Sequence, residues 1–145
     1  TKKLLETIKP IPCIPNELEQ VLLNILKNAA HALNEKKPAD SENFIPEIII
    51  TTNQDESTTT ISITDNGIGM SIESQKHAFE PFYTTKEPGV GTGLGLSVSY
   101  YIITTNHKGT ISLNSKKGFT EFIITLPNEF SSESYNNKNS NNSFL

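Results

Sequence analysis

Asp65 stands immediately before Asn66-Gly67-Ile68-Gly69-Met70, and further along runs Gly89-Val90-Gly91-Thr92-Gly93-Leu94-Gly95-Leu96. A carboxylate followed by two separate glycine loops outlines a nucleotide pocket. Glycine adopts positive φ and lets backbone N–H groups approach a ligand closely. Such groups gathered at the start of a helix bind phosphate. Neither run carries the Gly-Lys-Ser/Thr of a P-loop, and neither reads G-x-G-x-x-G.

Asp65 ends the alternating run Ile61-Ser62-Ile63-Thr64-Asp65, so it shares the apolar side with Ile61 and Ile63. An inward carboxylate is costly unless a donor meets it. An exocyclic amine such as adenine N6 is such a donor, and Gly67 and Gly69 leave room for a flat ring. Asp-Asn-Gly is equally a common turn in which the carboxylate serves its own backbone. Thr120 shares parity with Phe122, Ile124 and Leu126 and also points to the apolar face. Its hydroxyl there can meet a base directly or through water; an ordinary strand threonine is the plainer alternative.

A second set lies on one helix. At 100° per residue, Gln20, Asn24, Asn28 and His31 form a narrow stripe roughly opposite the apolar one. Asparagine inside a helix costs about half a kcal/mol relative to alanine. Two of them, four residues apart, suit a ligand: carboxamide oxygens can ligate Mg²⁺, and the amides can donate to phosphate. The alternative is a solvated face, although such faces usually carry Lys and Glu. The run Gly89 to Gly95 holds four glycines in seven residues, more than a simple turn needs, and reads as a lid over a triphosphate. Upstream, Phe79 and Phe82 are expected to pack the base of that lid. Lys86 can reach a γ-phosphate, or is a plain surface lysine. His31, His77 and His107 are not spaced with carboxylates or cysteines as a metal site. His107 reads as a helix C-terminal residue favoured by the dipole, and His31 alone sits on the ligand stripe.

The elements that must hold these residues follow from periodicity. Residues 3–9 read as a short strand, and Pro10, Pro12 and Pro15 then enforce an extended connection. A long helix runs from about Asn16 to Glu35, with Asn16 as N-cap and Glu19 in the capping-box position. Its apolar stripe is Leu18, Val21, Leu22, Ile25, Leu26, Ala29 and Leu33. Residues 36–46 form a long polar connection. Strands over 47–52 and 59–65 are joined by an Asp-Glu-Ser turn. A short helix covers 71–79 with Ser71 as N-cap, and a second long helix runs from Gly93 to about Thr105. Strands near 109–115 and 119–126 close the domain. The order β-α-β-β-α-α-β-β predicts an α/β two-layer sandwich. Its sheet is mixed and mostly antiparallel, of about five strands, with about three helices on one face. Residues 1–128 make this domain; 129–145 are Ser/Asn-rich and read as a disordered tail.

At 145 residues the chain suits one domain with one core. A formal charge of −4 and a pI near 5.4 argue against non-specific nucleic-acid binding. The single Cys13 rules out an internal disulfide and suits a reducing, cytoplasmic compartment. No apolar run approaches a membrane span. The chain begins at Thr1 rather than Met, which suggests a piece of a longer protein, with membrane segments possible in the remainder.

With these residues in view, the chain resembles the catalytic, ATP-binding domain of two-component sensor histidine kinases. They belong to the Bergerat-fold superfamily, together with type II topoisomerases, the Hsp90 chaperones and the MutL repair proteins. Asn24-xxx-Asn28-Ala29-xx-Ala32 is similar to the family's N box, and Asp65-x-Gly67-x-Gly69 to its G1 box. Phe79 to Lys86 is similar to the F box, in a Thr84-Thr85-Lys86 form like that of nitrogen-regulator-like kinases. Gly91-Thr92-Gly93-Leu94-Gly95-Leu96 is similar to the G2 box, and Thr120-x-Phe122-xxx-Leu126-Pro127 to the final strand. The resemblance covers about residues 3–128. It implies that Asp65 binds adenine N6, that Asn28 coordinates Mg²⁺ and that Asn24 and His31 lie near the phosphates. Gly91, Gly93 and Gly95 would belong to the lid, Lys86 would lie near the γ-phosphate, and Thr120 would join the adenine network. The superfamily's ATPases carry a water-activating glutamate where Asn24 stands, and an amide cannot be a general base. The expected reaction is therefore phosphoryl transfer from ATP to a histidine on a separate dimerisation domain. The further partner is a response regulator receiver domain. None of the three histidines here is the expected acceptor, and the fragment is expected to be monomeric. A degenerate nucleotide-binding module and an anti-sigma-type serine kinase are the alternatives. The family usually has glycine where Phe119 stands, which is expected to narrow or reshape the adenine end.

Overall fold

The computed structural model describes residues 8–36, 44–85 and 91–129. The elements are α1 (Pro15–Lys36), β1 (Ile48–Gln54), β2 (Thr58–Asp65), α2 (Ile72–His77), α3 (Gly95–Tyr101), a π turn (Ile102–Asn106), β3 (Thr110–Lys116) and β4 (Phe119–Pro127). The described strands form one four-stranded sheet in the order β1-β2-β4-β3. Every neighbouring pair is antiparallel, so the sheet is not mixed. Residues 3–7 of the expected first strand lie outside the described residues. Residues 8 and 9 are not strand, although the Gln54 side chain holds both the N–H and the C=O of Lys9 as a neighbouring strand would. Residues 37–43 of the polar connection and 130–145 of the tail also lie outside the described residues.

Helix α1 starts one residue earlier than its sequence suggests. Pro15 takes the first helical position, where its missing N–H costs nothing. The first helical bond runs from Leu18 N–H to the Ile14 carbonyl, so Asn16 is not the N-cap. Ser71 does cap α2, accepting the Ser74 N–H at 3.0 Å. The β1–β2 turn is fastened by Asp55, whose Oδ1 accepts the N–H groups of Thr58 and Ser57. Those bonds hold its carboxyl at about 2.

Alternation on β2 and β4 puts Ile63, Phe122, Ile124 and Leu126 inward, where Val21 and Ile25 of α1 close over them. The π turn brings two successive residues, Ile102 and Ile103, into this core. It also buries His107. The Ile14 N–H donates to His107 Nε2 at 3.0 Å, so the ring hydrogen sits on Nδ1 and goes to the Ile102 carbonyl. His107 is therefore a two-sided bridge from the start of α1 to the π turn rather than a cation on a helix dipole. Among the described residues no helix is long and apolar enough to cross a membrane.

Candidate functional site

One cavity of about 540 Å³ opens between α1, the ends of β2 and β4, and the two glycine loops. Asn24, Asn28, His31, Asp65, Gly69, Gly91, Thr92, Gly93, Gly95, Leu96 and Thr120 all line it. Gly67 and Leu94 do not, and Lys86 lies outside the described residues.

The closed end is built by register. Asp65 and Thr120 are directly paired across β2 and β4, and each is almost wholly buried. Asp65 Oδ1 accepts the Gly67 N–H at 2.9 Å, so the turn reading and the inward-carboxylate reading hold together. Burial pushes the Asp65 carboxyl up, while the Gly67 hydrogen bond and the Lys36 charge pull it down. Packing demands glycine at both positions after it. A Cβ on Gly67 would stand 2.7 Å from the Ala32 Cβ and 2.8 Å from Asp65 Oδ1. Gly69 has φ +78°, and a Cβ there would strike the Lys116 carbonyl. Ile68 donates to the Ala32 carbonyl and its own carbonyl takes the Gly118 N–H, so the turn is clamped between α1 and the β3–β4 hairpin. Phe119 does not narrow this end. It alternates with Thr120 on β4, and its ring lies outside the cavity under Lys116 Nζ.

The open end belongs to α1 and the second glycine loop. Asn24 Nδ2 donates to the Gly95 carbonyl at 3.0 Å and to Ser99 Oγ at 3.2 Å, which leaves its Oδ1 as the atom available to a donor or cation. Ser99 is fully buried and itself donates to the Gly95 carbonyl. Asn24 thus sits on the flank of α1 that α3 covers, and Asn28 and His31 line the cavity beside it. Gln20, the fourth member of the polar stripe, is exposed and outside the cavity. His31 Nε2 lies 3.1 Å from Glu35 Oε1. Lys27 lines the cavity and makes no ion pair with another described residue.

The lid's foot rests on backbone. Gly93 has φ +66° and its carbonyl accepts the Phe82 N–H at 2.8 Å. Phe82 is 74% exposed, so its ring does not pack the lid base; Phe79 packs against the hydrophobic core and is tilted against Tyr100 of α3. Tyr83 forms part of the cavity wall, its ring against His77. His77 is itself held between Glu80 and Glu73, which push its imidazole pKa up.

Sequence reasoning missed Lys27, Glu35, Ser99 and Tyr83. Lys27 was legible, since it precedes Asn28 and lies beside the polar stripe. Ser99 and Tyr83 gave no local signal, because their roles arise from contacts across the fold.

The donors of the open end suit Mg²⁺. It accepts amide oxygens but keeps waters and substrate phosphates in its shell rather than needing a protein cage. No cluster of three or more His, Cys, Asp or Glu placed to hold a metal exists among the described residues.

Residues 13–129 match the family model described as histidine kinase-, DNA gyrase B-, and HSP90-like ATPase. Sporulation kinase E of Bacillus subtilis is 47% identical over 125 residues, covering 86% of this chain and 15% of that protein. The signal transduction histidine-protein kinase AtoS of Escherichia coli is 40% identical over 121 residues, covering 83% of this chain and 18% of that protein. The chain therefore spans less than a fifth of these relatives' own length. The solved catalytic domain of histidine kinase ThkA superposes with a TM-score of 0.65 at 30% identity, over 83% of this chain and 73% of that one. This chain belongs to the histidine kinase-, DNA gyrase B- and HSP90-like ATPase family and corresponds to the catalytic domain of its sensor histidine kinase members.

Proposed function

We propose that this domain binds Mg-ATP in its cavity. It then directs the γ-phosphate to a histidine on a dimerisation domain outside this sequence, from which a response regulator receiver domain takes it, in the cytoplasm. The supporting observation is the polarity of this cavity. A buried carboxylate and hydroxyl face one end, and a glycine loop with Asn24, Asn28 and Lys27 faces the other.

In this reading Asp65 takes a hydrogen of the adenine N6 amine, and Thr120 completes the base corner. The flat base slides between Ile68–Met70 and Leu96, both beside the cavity. The triphosphate lies toward Gly91–Gly95, whose backbone N–H groups and helix start favour negative charge. Asn24 and Asn28 present carboxamides there, and Lys27 and His31 stand beside them; Lys86 is proposed to join from the lid. Mg²⁺, held by Asn28 and the phosphates, would neutralise charge on the phosphate oxygens. In the transfer the bond between the γ-phosphorus and its bridging oxygen breaks as a P–N bond to the incoming imidazole forms. The chain's task is alignment and exclusion of water. Asn24 cannot take a proton from water, which favours transfer over hydrolysis.

Calorimetric titration with a non-hydrolysable ATP analogue, with and without Mg²⁺ and with a GTP analogue as control, tests the pocket. Adenine-selective, Mg²⁺-enhanced binding is expected; no binding at millimolar nucleotide refutes it. Supplying the dimerisation domain in trans tests the transfer. Tight binding without phosphohistidine would make the chain a binding module. A stable dimer in sedimentation would overturn the expected monomer.

A further inference from the structure

Ser115, near the end of β3, belongs to none of the glycine or asparagine motifs, yet its Oγ is the meeting point of three hydrogen bonds. It accepts the Met70 N–H at 2.8 Å, donates to the Phe119 carbonyl at 2.7 Å and lies 3.0 Å from Thr120 Oγ1. A serine hydroxyl has a single hydrogen. The Phe119 carbonyl can only accept, so that hydrogen belongs to it. The third contact is a hydrogen bond only if Thr120 donates. Thr120 is then left with lone pairs to show the cavity.

The placement of Thr120 makes this polarity matter. It is 3% exposed, lines the cavity, and is the register partner of Asp65 on the adjacent strand. Directly opposed side chains stand about 5 Å apart. A hydroxyl free to turn would donate into the Asp65 carboxylate or to a ligand carbonyl. Donation to Ser115 prevents both. The nearby N–H groups of Gly67, Ile68 and Met70 are likewise taken, by Asp65, the Ala32 carbonyl and Ser115. The corner therefore presents two adjoining acceptors.

We propose that Ser115 is a positioning residue that sets Thr120 as an acceptor, and that the resulting acceptor pair selects purines bearing an amino rather than an oxo group at the corner. The proposal rests on the nucleotide reading above and adds a determinant to it. An amine gives a hydrogen to each acceptor, directly or through one water. An oxo group meets lone pairs, the mismatch that binding sites reject most strongly.

The test is calorimetric titration of the full chain with the non-hydrolysable analogues of ATP and of inosine triphosphate, which differ in the amino or oxo group at C6 and in the hydrogen that the oxo form carries on N1. Wild type is expected to prefer the adenine form by about thirtyfold or more. Ser115→Ala frees the Thr120 hydroxyl to donate, and the ratio of the two dissociation constants should fall about five- to tenfold, mainly through tighter inosine binding. Thr120→Val, the second variant, should weaken the adenine form several-fold and leave the inosine form unchanged or improved. Equal weakening of both nucleotides by Ser115→Ala would mean that Ser115 only packs the hairpin, and would overturn the proposal. So would a Thr120→Val variant that loses inosine binding more than adenine binding. Wild type that binds neither nucleotide would instead refute the nucleotide reading itself.

Discussion

Replacing Asp65 by Asn removes one charge and keeps the shape, which separates what this side chain does for the fold from what it does for a ligand. Asp65 is 4% exposed, and its Oδ1 holds the Gly67 N–H at 2.9 Å. The amide oxygen of asparagine can hold the same N–H, so the turn is kept. Burial raises the carboxyl above its ordinary 3.8, so the charged form is the costly one in the folded chain. Such a group loses stability as pH rises from 3.8 through the raised folded value, and the cost is fully present above it. Wild type and D65N should therefore match most closely below that window, and the variant should gain relative to wild type across it. At neutral pH it should be unchanged or more stable by about 1 kcal/mol. Nucleotide binding should move the other way. A hydrogen bond to a charged group is worth about 1.5–3 kcal/mol, roughly a 10- to 150-fold loss of affinity. The new amide also sets a donor against the adenine amine, which places the loss toward the upper end. Thermal unfolding across pH and calorimetric titration with an ATP analogue, run on one preparation, measure both halves. Destabilisation beyond about 2 kcal/mol would make Asp65 a structural residue, and unchanged affinity would sink the pocket assignment.

Asn24→Ala removes the two donors that pin the start of α3 at Gly95 and Ser99; it should cost about 1–3 kcal/mol in chemical denaturation, and a neutral result would contradict the bracing role. Lys27→Met removes a side chain that makes no ion pair with another described residue, so the melting temperature should hold. Affinity for the ATP analogue should fall several-fold while that for AMP does not; equal losses for both would place Lys27 away from the terminal phosphates. The His77 pKa is raised, first by the Glu80 hydrogen bond and then by Glu73. Its stabilisation is therefore full below 6.5 and lost as pH rises through the folded value. His77→Gln should flatten that part of the stability profile, and an unaltered profile would show that the clamp contributes nothing. The effect is small, because the group is solvent-screened.

Much of the site was legible because its residues break local rules. Asparagine at 24 and 28 contradicts helix propensity, an acid at 65 ends an apolar strand face, and the glycines around 93 exceed what a turn requires. Period alone placed Val21, Ile25, Ala29 and Leu33 in the core and put Thr120 inward, and each is buried. Where the reading failed, contacts distant in sequence had intervened. The aromaticity of Phe82 suggests packing, but its backbone is what is used, bonded to Gly93. Gly67 reads as room for a ligand, and Ala32 of α1 and the Asp65 carboxylate are what exclude a side chain there. The position of His107 suggests a helix dipole, but the N–H of Ile14, 93 residues earlier, reaches its ring.

The sequence by itself determined the elements, their inward faces and the kinds of chemistry available, because periodicity and residue type act within a few positions of the chain. Tertiary structure decided which of those groups meet. Register sets Asp65 beside Thr120 on neighbouring strands, α3 covers Asn24 of the polar stripe, and the β3–β4 hairpin brings Ser115 Oγ to Thr120 Oγ1. Each depends on pairing across the sheet or between helices, and hydrogen-bond direction is fixed only once every donor has found its acceptor.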